Sequence, residues 1–216
     1  MILSDRFAAA QTLALELHRD QLRKQTLIPY HSHLMAVAAL ILEHGGTEDQ
    51  AIAGLLHDVI EDQGDKITYV ELETRFGASV TAMVRECTDT EVTPKPPFIE
   101  RKRAYHAHLQ HASSDALLVS AADKLHNLQA VTRDYRVHGS KLWDRFVKDA
   151  DSLTDKRDLF IWNHRALVGT LHARMGKAIR GKPIRGKAIS AELVRQLETL
   201  EGLMRENGDA ANTITP

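Results

Sequence analysis

Residues 47–64 read TEDQAIAGLLHDVIEDQG, and the fold prediction starts from this stretch. Its first four residues have the capping-box pattern, in which Thr47 and Gln50 satisfy free backbone N–H groups at the start of a helix. Apolar residues dominate positions 51–60, and Gly64 is a typical stop signal. The stretch therefore predicts a helix whose apolar side chains draw it into the core.

Helix signals recur along most of the chain. Apolar residues between Phe7 and Leu17 repeat at three- and four-residue spacing, which predicts a first amphipathic helix. A second capping box at residues 68–71 opens a short helix that ends near Gly77. Further helices are expected over residues 98–111, 114–136 and 151–175. Since no alternating apolar pattern with turn signals supports a sheet, the predicted fold is all-α, a compact multi-helix bundle.

The composition is that of a globular protein. Among 216 residues, 43% are apolar and 26% are charged, and the net charge of −1 gives no overall attraction to nucleic acid. The longest uncharged apolar stretch, residues 34–42, is much shorter than the roughly 20 residues that cross a bilayer. The single cysteine, Cys87, fits a reducing compartment. We therefore expect a cytoplasmic protein with neither a nucleic-acid nor a membrane partner.

A change of composition divides the chain near its C-terminus. Residues 176–189 read GKAIRGKPIRGKAI, with five positive charges and no acidic residue. Glycine, proline and like charges are typical of an extended, solvated linker, and phosphate binding is the alternative. Ser190 is expected to cap a last helix over residues 191–205, followed by a frayed tail. The predicted units are a main domain, the basic linker, and a C-terminal helical extension with its tail: 1–175, 176–189 and 190–216.

The end of the first quoted helix concentrates acidic groups. On a helix, His57 and Glu61 are four residues apart, as are Asp58 and Asp62, so one face carries an imidazole and three carboxylates. The negative end of the helix dipole disfavours each carboxylate there by about 0.3–1 kcal/mol. A divalent cation would relieve this repulsion. The alternative is an acidic helix end at the surface with an incidental histidine.

Two distant residues favour the metal interpretation. His33 leads directly into the apolar stretch 34–42, and Asp123 lies in the middle of a small, apolar helical segment. A buried aspartate is costly unless it is paired or coordinated. Together with His57 and Asp58, these residues would form a site of two nitrogens and two oxygens, which suits Mn, Fe, Co or Zn. His31 competes with His33 as the first ligand.

The ordered set of motifs resembles a known family. His33, His57-Asp58 and Asp123 follow the order of the HD-domain superfamily of metal-dependent phosphohydrolases. Three longer matches resemble the RelA/SpoT-type and small stand-alone alarmone hydrolases. They are Q-x-R-K followed by P-Y-x-x-H at residues 21–24 and 29–33, H-D-x-x-E-D at residues 57–62, and A-D-[KR]-L-x-N at residues 122–127.

The resemblance implies a reaction and a set of roles. The two histidines and two aspartates above would hold one Mn²⁺, and Glu61 and Asp62 would orient and deprotonate the attacking water. Arg23 and Lys24 would contact the purine or the phosphates, and Asn127 would contact the ribose or a phosphate. The family fold is a compact bundle of α-helices. Its reaction removes the 3′-pyrophosphate of guanosine tetra- or pentaphosphate and returns GDP or GTP.

Departures from the family pattern leave the substrate open. Leu34 stands where proline is frequent, and Ser120 stands where many members have a lysine. An adenosine 3′-pyrophosphate analogue is therefore a second candidate substrate. Two other functions are kept as alternatives: a different HD enzyme, such as a 5′-nucleotidase or dNTP hydrolase, and a non-catalytic nucleotide-binding regulator. Residues 101–103 are read as a solvated basic face, with phosphate binding as the alternative. A homo-oligomer is also left open.

Overall fold

The computed structural model describes residues 2–92, 94–176 and 187–214, and over these ranges it contains helices and no strand, with one isolated bridge between Leu22 and Pro29. The all-α prediction is confirmed. In chain order, the helices are α1 (Asp5–Leu17), α2 (His31–Glu43), α3 (Glu48–Leu56), α4 (Val59–Gln63), α5 (Tyr69–Phe76), α6 (Ala78–Cys87), α7 (Phe98–Leu109), α8 (Ser114–His138), a 3-10 helix (Gly139–Arg145), α9 (Leu153–Met175) and α10 (Lys187–Glu206). None of these helices is both long and apolar enough to cross a membrane.

Both predicted capping boxes are present. Thr47 accepts from the backbone N–H of Gln50, whose side chain accepts from the backbone N–H of Thr47. Thr68 and Glu71 make the same reciprocal pair at the start of α5. These local signals define the starts of α3 and α5 because they satisfy N–H groups that have no partner inside the helix.

The sequence analysis predicted one helix over residues 47–64, but the structure has two. Helix α3 ends at Leu56, and α4 begins at Val59, so His57 and Asp58 form the junction. The His57 imidazole lies 2.9 Å from the carbonyl oxygen of Gly54, the acceptor that the N–H of Asp58 would use in an uninterrupted helix. We attribute the break to this competition between a side chain and the backbone. The predicted four-residue spacing is kept between Asp58 and Asp62, since the N–H of Asp62 donates to the carbonyl of Asp58, and the break affects the single continuous helix only.

Helices α2, α3 and α8 bring the predicted ligands together at the centre of the core. Each contributes fully buried apolar residues, including Leu34, Leu55 and Leu125. Gly54 permits a close approach of α3 to α2, because a Cβ built there would lie 2.5 Å from Cδ1 of Ile41. The first turn of α2, the end of α3 and the middle of α8 consequently meet.

The C-terminal helix joins the same core. Helix α10 begins at Lys187, and Ser190 lies inside it, fully buried, with its hydroxyl donating to the carbonyl of Lys187. The predicted cap at Ser190 is thus wrong. The apolar side chains that α10 buries in the main hydrophobic core are Ile189, Leu193, Leu197, Leu200 and Met204. Residues 177–186, most of the predicted basic linker, lie outside the described residues.

The segment after α10 is anchored at Asp209, whereas the sequence predicted a frayed tail. Its carboxylate accepts from the hydroxyl of Tyr135 at 3.0 Å, from Nε1 of Trp143 at 2.7 Å and from Nη1 of Arg157 at 2.9 Å. Only 13% of the Asp209 side chain is exposed. Partners 50–75 residues away create this anchor, so local sequence could not reveal it.

Asp209→Ala is expected to lower the free energy of unfolding by roughly 3 kcal/mol, because it removes one member of a buried, hydrogen-bonded ion pair. Asp144→Ala is the control: Asp144 is 67% exposed and pairs with Lys156 at 2.8 Å, so its loss should cost less than about 1 kcal/mol. Urea denaturation measures both. Equal destabilisation by the two variants would contradict the anchor.

Candidate metal centre and active site

Four of the predicted side chains converge between α2, the α3–α4 junction and α8. Nε2 of His57 lies 2.9 Å from Oδ2 of Asp58 and 3.7 Å from Oδ1 of Asp123, while Nε2 of His33 lies 3.2 Å from that same Asp123 oxygen. His33, His57 and Asp58 offer ligand atoms that all lie within 4.8 Å of one another. Of the two competing histidines, the structure brings His33 to the cluster, and His31 is buried outside it.

Hydrogen bonds orient both imidazoles toward the centre of the cluster. Nδ1 of His57 donates to the carbonyl of Gly54, which leaves Nε2 as the nitrogen that faces the carboxylates. Nδ1 of His33 lies 2.7 Å from Nδ1 of His126. Burial, with help from the neighbouring His33 and Arg23, lowers the pKa of His126 to about 4, so His126 is neutral, and its contact with Nδ1 of His33 fixes the orientation of the His33 ring. Such outer partners fix the tautomer of a metal ligand.

The two carboxylates are held in the same way. The Tyr30 hydroxyl donates to Oδ2 of Asp58, and the Lys124 ammonium contacts Oδ2 of Asp123. Asn127 donates from its amide to Oδ1 of Asp123. His126, Tyr30 and Lys124 were not assigned roles from the sequence. Tyr30 and Lys124 do stand inside the quoted motifs, so the motifs carried a signal for them.

The donor set fits a divalent cation. Nε2 of His57 is buried and has no hydrogen-bond partner among the described residues, although Oδ2 of Asp58 is 2.9 Å away. The two atoms therefore approach without the alignment of a hydrogen bond, as ligands of a common ion do. Two imidazole nitrogens and two carboxylate oxygens form a mixed set that binds first-row divalent metals. A cation would also offset the cost of burying two carboxylates side by side.

Cation binding is expected to release about one proton near pH 7. Burial lowers the pKa of His57, but the carboxylates of Asp58 and Asp123 outweigh it and hold that pKa well above its usual value. The metal-free protein therefore carries a proton on His57 that a cation must displace, so affinity should rise with pH until the pH passes this pKa. Titration calorimetry of Mn²⁺ in buffers of different ionisation enthalpy counts the protons. The exposed His172→Ala variant should release the same number, and a count of zero in the wild type would show that the metal-free protein carries no displaceable proton on His57.

A second pair of carboxylates follows the metal cluster on α4. Glu61 and Asp62 have side chains that are 17% and 24% exposed, and Lys95 lies 2.7 Å from Oε1 of Glu61 and 3.8 Å from Oδ1 of Asp62. Burial raises the pKa of Asp62 to about 6, and the charges of Asp58 and Glu61 add to this effect. A carboxylate with a pKa near 6 is still mainly ionised at neutral pH and is a stronger base than an ordinary aspartate.

The predicted substrate-binding residues lie beside these carboxylates. Nη2 of Arg23 donates to the side-chain oxygen of Asn127 at 2.7 Å, and Asn127 in turn contacts Asp123, so Arg23 is linked to the metal cluster. The Lys24 ammonium stands 5.7 Å from the centre of the Phe146 ring. A cation and an aromatic ring side by side suit a ligand that combines phosphates with a base.

The predicted substrate-binding residues Arg23, Lys24 and Asn127 line one open pocket that is rich in cationic side chains. Its cationic side chains are Arg23, Lys24, Lys95, Arg101, Lys102, Lys124, Arg133, Arg145 and Lys148, and its acidic ones are Asp62, Asp134 and Asp149. Phe98, Phe146 and Phe160 add aromatic surface. Such a lining favours a polyanion with an aromatic base, although the whole chain is nearly neutral.

Arg101 and Lys102 do not form the solvated face that the sequence favoured. Their side chains are only 16% and 17% exposed, and both pair with Asp89. Asp89 lies in the loop before α7, so this pairing turns the start of the helix toward the pocket. Lys95 was also missed, because its proline-rich loop shows no periodicity that would place it.

Comparison with known proteins agrees with this site. Residues 10–147 match the family model described as HD domain. Guanosine-3′,5′-bis(diphosphate) 3′-pyrophosphohydrolase MESH1 of Xenopus tropicalis is 41% identical over 127 residues, which cover 57% of this chain and 68% of that protein. The Homo sapiens protein of the same name is 39% identical over 127 residues, with the same coverage.

A solved structure described as a metazoan ortholog of SpoT that hydrolyzes ppGpp aligns with 97% of this chain and 99% of its own, at 26% identity and a TM-score of 0.66. Both the sequence match and the fold match therefore span the elements that carry His33, His57-Asp58 and Asp123. The chain belongs to the HD-domain family and is a homologue of the MESH1 and SpoT-type pyrophosphohydrolases.

Proposed function

We propose that this chain is a metal-dependent hydrolase that removes the 3′-pyrophosphate from a purine alarmone such as ppGpp. The observation that carries the proposal is the convergence of His33, His57, Asp58 and Asp123 beside a pocket lined by cations. Relatives of about 40% identity are named for this activity on guanosine-3′,5′-bis(diphosphate). The nucleotide is therefore the proposed substrate, with an adenosine 3′-pyrophosphate as the second candidate.

The four converging side chains would hold one divalent cation, for which we propose Mn²⁺. A cation supplies Lewis-acid chemistry, since it polarises a phosphoryl oxygen and lowers the pKa of water. The protein contributes the orientation: Gly54 and His126 fix the two imidazoles, and Tyr30 fixes the carboxylate of Asp58. This support keeps the ligand atoms in place before the substrate arrives.

Glu61 and Asp62 would orient the attacking water and accept its proton. The water oxygen forms a bond to the phosphorus attached to the ribose 3′ oxygen, and the bond between that phosphorus and the 3′ oxygen breaks. The 3′ oxygen takes up a proton, and pyrophosphate leaves with a 5′-di- or triphosphate nucleoside as the other product. A raised pKa for Asp62 suits this step, because a general base works best when its pKa approaches the working pH.

Arg23, Lys24 and Asn127 would bind the nucleotide. The Arg23 guanidinium is planar and presents a fork of donors, so it can stack on a purine or clamp phosphate oxygens. Asn127 joins Arg23 to Asp123, which couples the substrate end of the pocket to the metal cluster. We also propose that the protein is cytoplasmic and that its partner is a small-molecule nucleotide, not nucleic acid or a membrane. Whether it forms a homo-oligomer is left open.

A nucleotide panel with separate phosphate and pyrophosphate readouts tests the function. Mn²⁺-loaded protein is expected to convert ppGpp to GDP and pyrophosphate, and chelation should stop the reaction. Release of monophosphate from nucleoside 5′-monophosphates, or of triphosphate from dNTPs, with ppGpp and its adenosine analogue untouched, would replace the proposal by another HD activity. Tight nucleotide binding that is insensitive to chelator, without turnover, would instead indicate a regulator.

A further inference from the structure

A chain of hydrogen bonds leads from Asp62 to Gln21, Gln63 and His18. The side-chain amide of Gln21 donates from Nε2 to Oδ2 of Asp62 at 2.8 Å. Oε1 of Gln21 accepts from Nε2 of Gln63 at 2.8 Å and lies 2.7 Å from Nδ1 of His18. His18 caps the end of α1, and Gln21 follows in the next loop, so this chain joins α1 to α4.

The direction of these bonds is determined at both ends. The Lys66 ammonium can only donate, so Oε1 of Gln63 faces it at 2.7 Å, and Nε2 of Gln63 must face Gln21. An ionised Asp62 can only accept, so Nε2 of Gln21 must face the carboxylate. A flipped Gln21 amide would oppose two donors at one end and two acceptors at the other. Oε1 of Gln21 therefore faces His18, and Nδ1 of His18 carries the hydrogen.

His18 is a costly residue for a purely structural role. It is 1% exposed, and its Nε2 has no hydrogen-bond partner among the described residues. A buried, unpaired acceptor costs roughly 1–3 kcal/mol, which an apolar side chain of similar size would avoid. Its ring stacks on Tyr30 with centroids 5.2 Å apart, and Tyr30 bonds Asp58. His18 thus fixes the plane of the Gln21 amide next to the carboxylates of Asp58 and Asp62.

We propose that Gln21 and His18 are positioning residues that hold Asp62 in its working orientation, an inference that rests on the proposed function. Asp62 lies near Asp58 and Glu61, and the like charges of these two carboxylates repel an ionised Asp62. The Gln21 amide holds Oδ2 against this repulsion and leaves Oδ1 to accept the proton of the attacking water. His18 does not line the pocket, whereas Gln21 does, and in this scheme both act through Asp62.

Gln21→Glu tests the first link, because it keeps the shape of the side chain and replaces the donor that faces Asp62 with an acceptor. We expect kcat to fall about 10- to 100-fold, as is typical when an outer-shell hydrogen bond is lost, with KM and bound Mn²⁺ unchanged. Wild-type kcat in this variant would overturn the inference. A parallel loss of kcat and metal would overturn it as well, since the effect would then come from the metal cluster.

His18→Leu and His18→Asn form a matched pair for the second link. Leucine fills the space without a donor, whereas the asparagine amide places an N–H near the position of Nδ1. We expect His18→Leu to lower kcat about tenfold and His18→Asn to recover most of that loss. Equal kcat in the two variants, with equal unfolding free energies, would show that the N–H of His18 does not matter.

A spectroscopic readout separates this inference from the proposed function. In protein labelled with ¹⁵N-histidine, NMR at pH 7 is expected to show His18 neutral with its hydrogen on Nδ1, and Gln21→Leu should abolish this preference. A hydrogen on Nε2 in the wild type would overturn the inference whatever the enzyme hydrolyses. A wild-type protein inactive on ppGpp would reject the proposed function, while the His18 tautomer would still support or overturn the bond direction.

Discussion

Replacing Asp58 by asparagine is expected to remove the bound cation and the hydrolytic activity together. The substitution keeps the size of the side chain and an oxygen for the Tyr30 hydroxyl, so the local fold has no reason to change. It removes the negative charge that lies 2.9 Å from Nε2 of His57, at the centre of the four converging ligands. Elemental analysis after dialysis measures the metal, and pyrophosphate release from ppGpp measures the activity. Both should fall to background.

Asp49→Asn is the matched control for this experiment. Asp49 lies in the first turn of α3, the helix that ends next to Asp58, and it pairs with Arg6 at the surface at 2.9 Å. Its loss removes one carboxylate from the same helix without touching the cluster. We expect wild-type metal content and activity in this variant. Equal metal in Asp58→Asn and in the wild type would show that Asp58 is not a ligand.

Replacing Glu61 by glutamine is expected to have the opposite profile, with the metal retained and turnover lost. The amide keeps an oxygen for the Lys95 ammonium, but it can no longer accept a proton from water. Loss of general-base assistance typically costs 10²- to 10⁴-fold in rate, so kcat should fall within that range. Asp62→Asn should behave in the same way. Steady-state kinetics on ppGpp, together with elemental analysis of the same preparations, separates the two effects.

Glu73→Gln provides the control for the carboxylate pair. Glu73 is exposed on α5, away from the pocket, so its variant should keep wild-type kcat and metal content. A kcat for Glu61→Gln within about threefold of the wild type would remove Glu61 from the proposed mechanism. A loss of metal in that variant would instead place Glu61 among the ligands.

The arrangement of the site follows from where the buried helices cross. His33 begins α2, and Asp123 lies in the middle of α8, so neither is close in sequence to the His57-Asp58 junction. The three elements meet because each is buried along its apolar side, and because Gly54 leaves room for Ile41 between α2 and α3. The free energy gained by hydrophobic burial therefore offsets the free-energy cost of bringing polar and charged ligands together in the core.

Several features could be predicted from local sequence because they depend on local physics. The capping boxes at Thr47 and Thr68 were predicted and are present, since a capping box satisfies backbone groups within three residues of itself. The all-α class was also predicted, because helical periodicity is a short-range pattern. The spaced motifs around His33, His57 and Asp123 identified the cluster in advance, and the structure brings these residues together.

Other features required the tertiary structure. The break between α3 and α4 depends on where the His57 imidazole points, and Ser190 is buried inside α10 instead of capping it. The anchored tail depends on Asp209 meeting three partners from distant elements. No short-range sequence pattern predicts contacts between distant residues. The sequence analysis therefore predicted one helix in place of α3 and α4, a cap at Ser190 and a frayed tail after the last helix.

The sequence by itself determined the helical class, the capped starts of α3 and α5 and the identity of the ligand candidates, because capping, periodicity and residue chemistry are properties of neighbouring residues. Only the tertiary structure decided which imidazole nitrogen faces the cluster, that Arg101 and Lys102 turn into the pocket, and that Gln21 donates to Asp62. The physical reason is that hydrogen-bond direction and burial depend on partners far away in the chain, and folding alone brings those partners within reach.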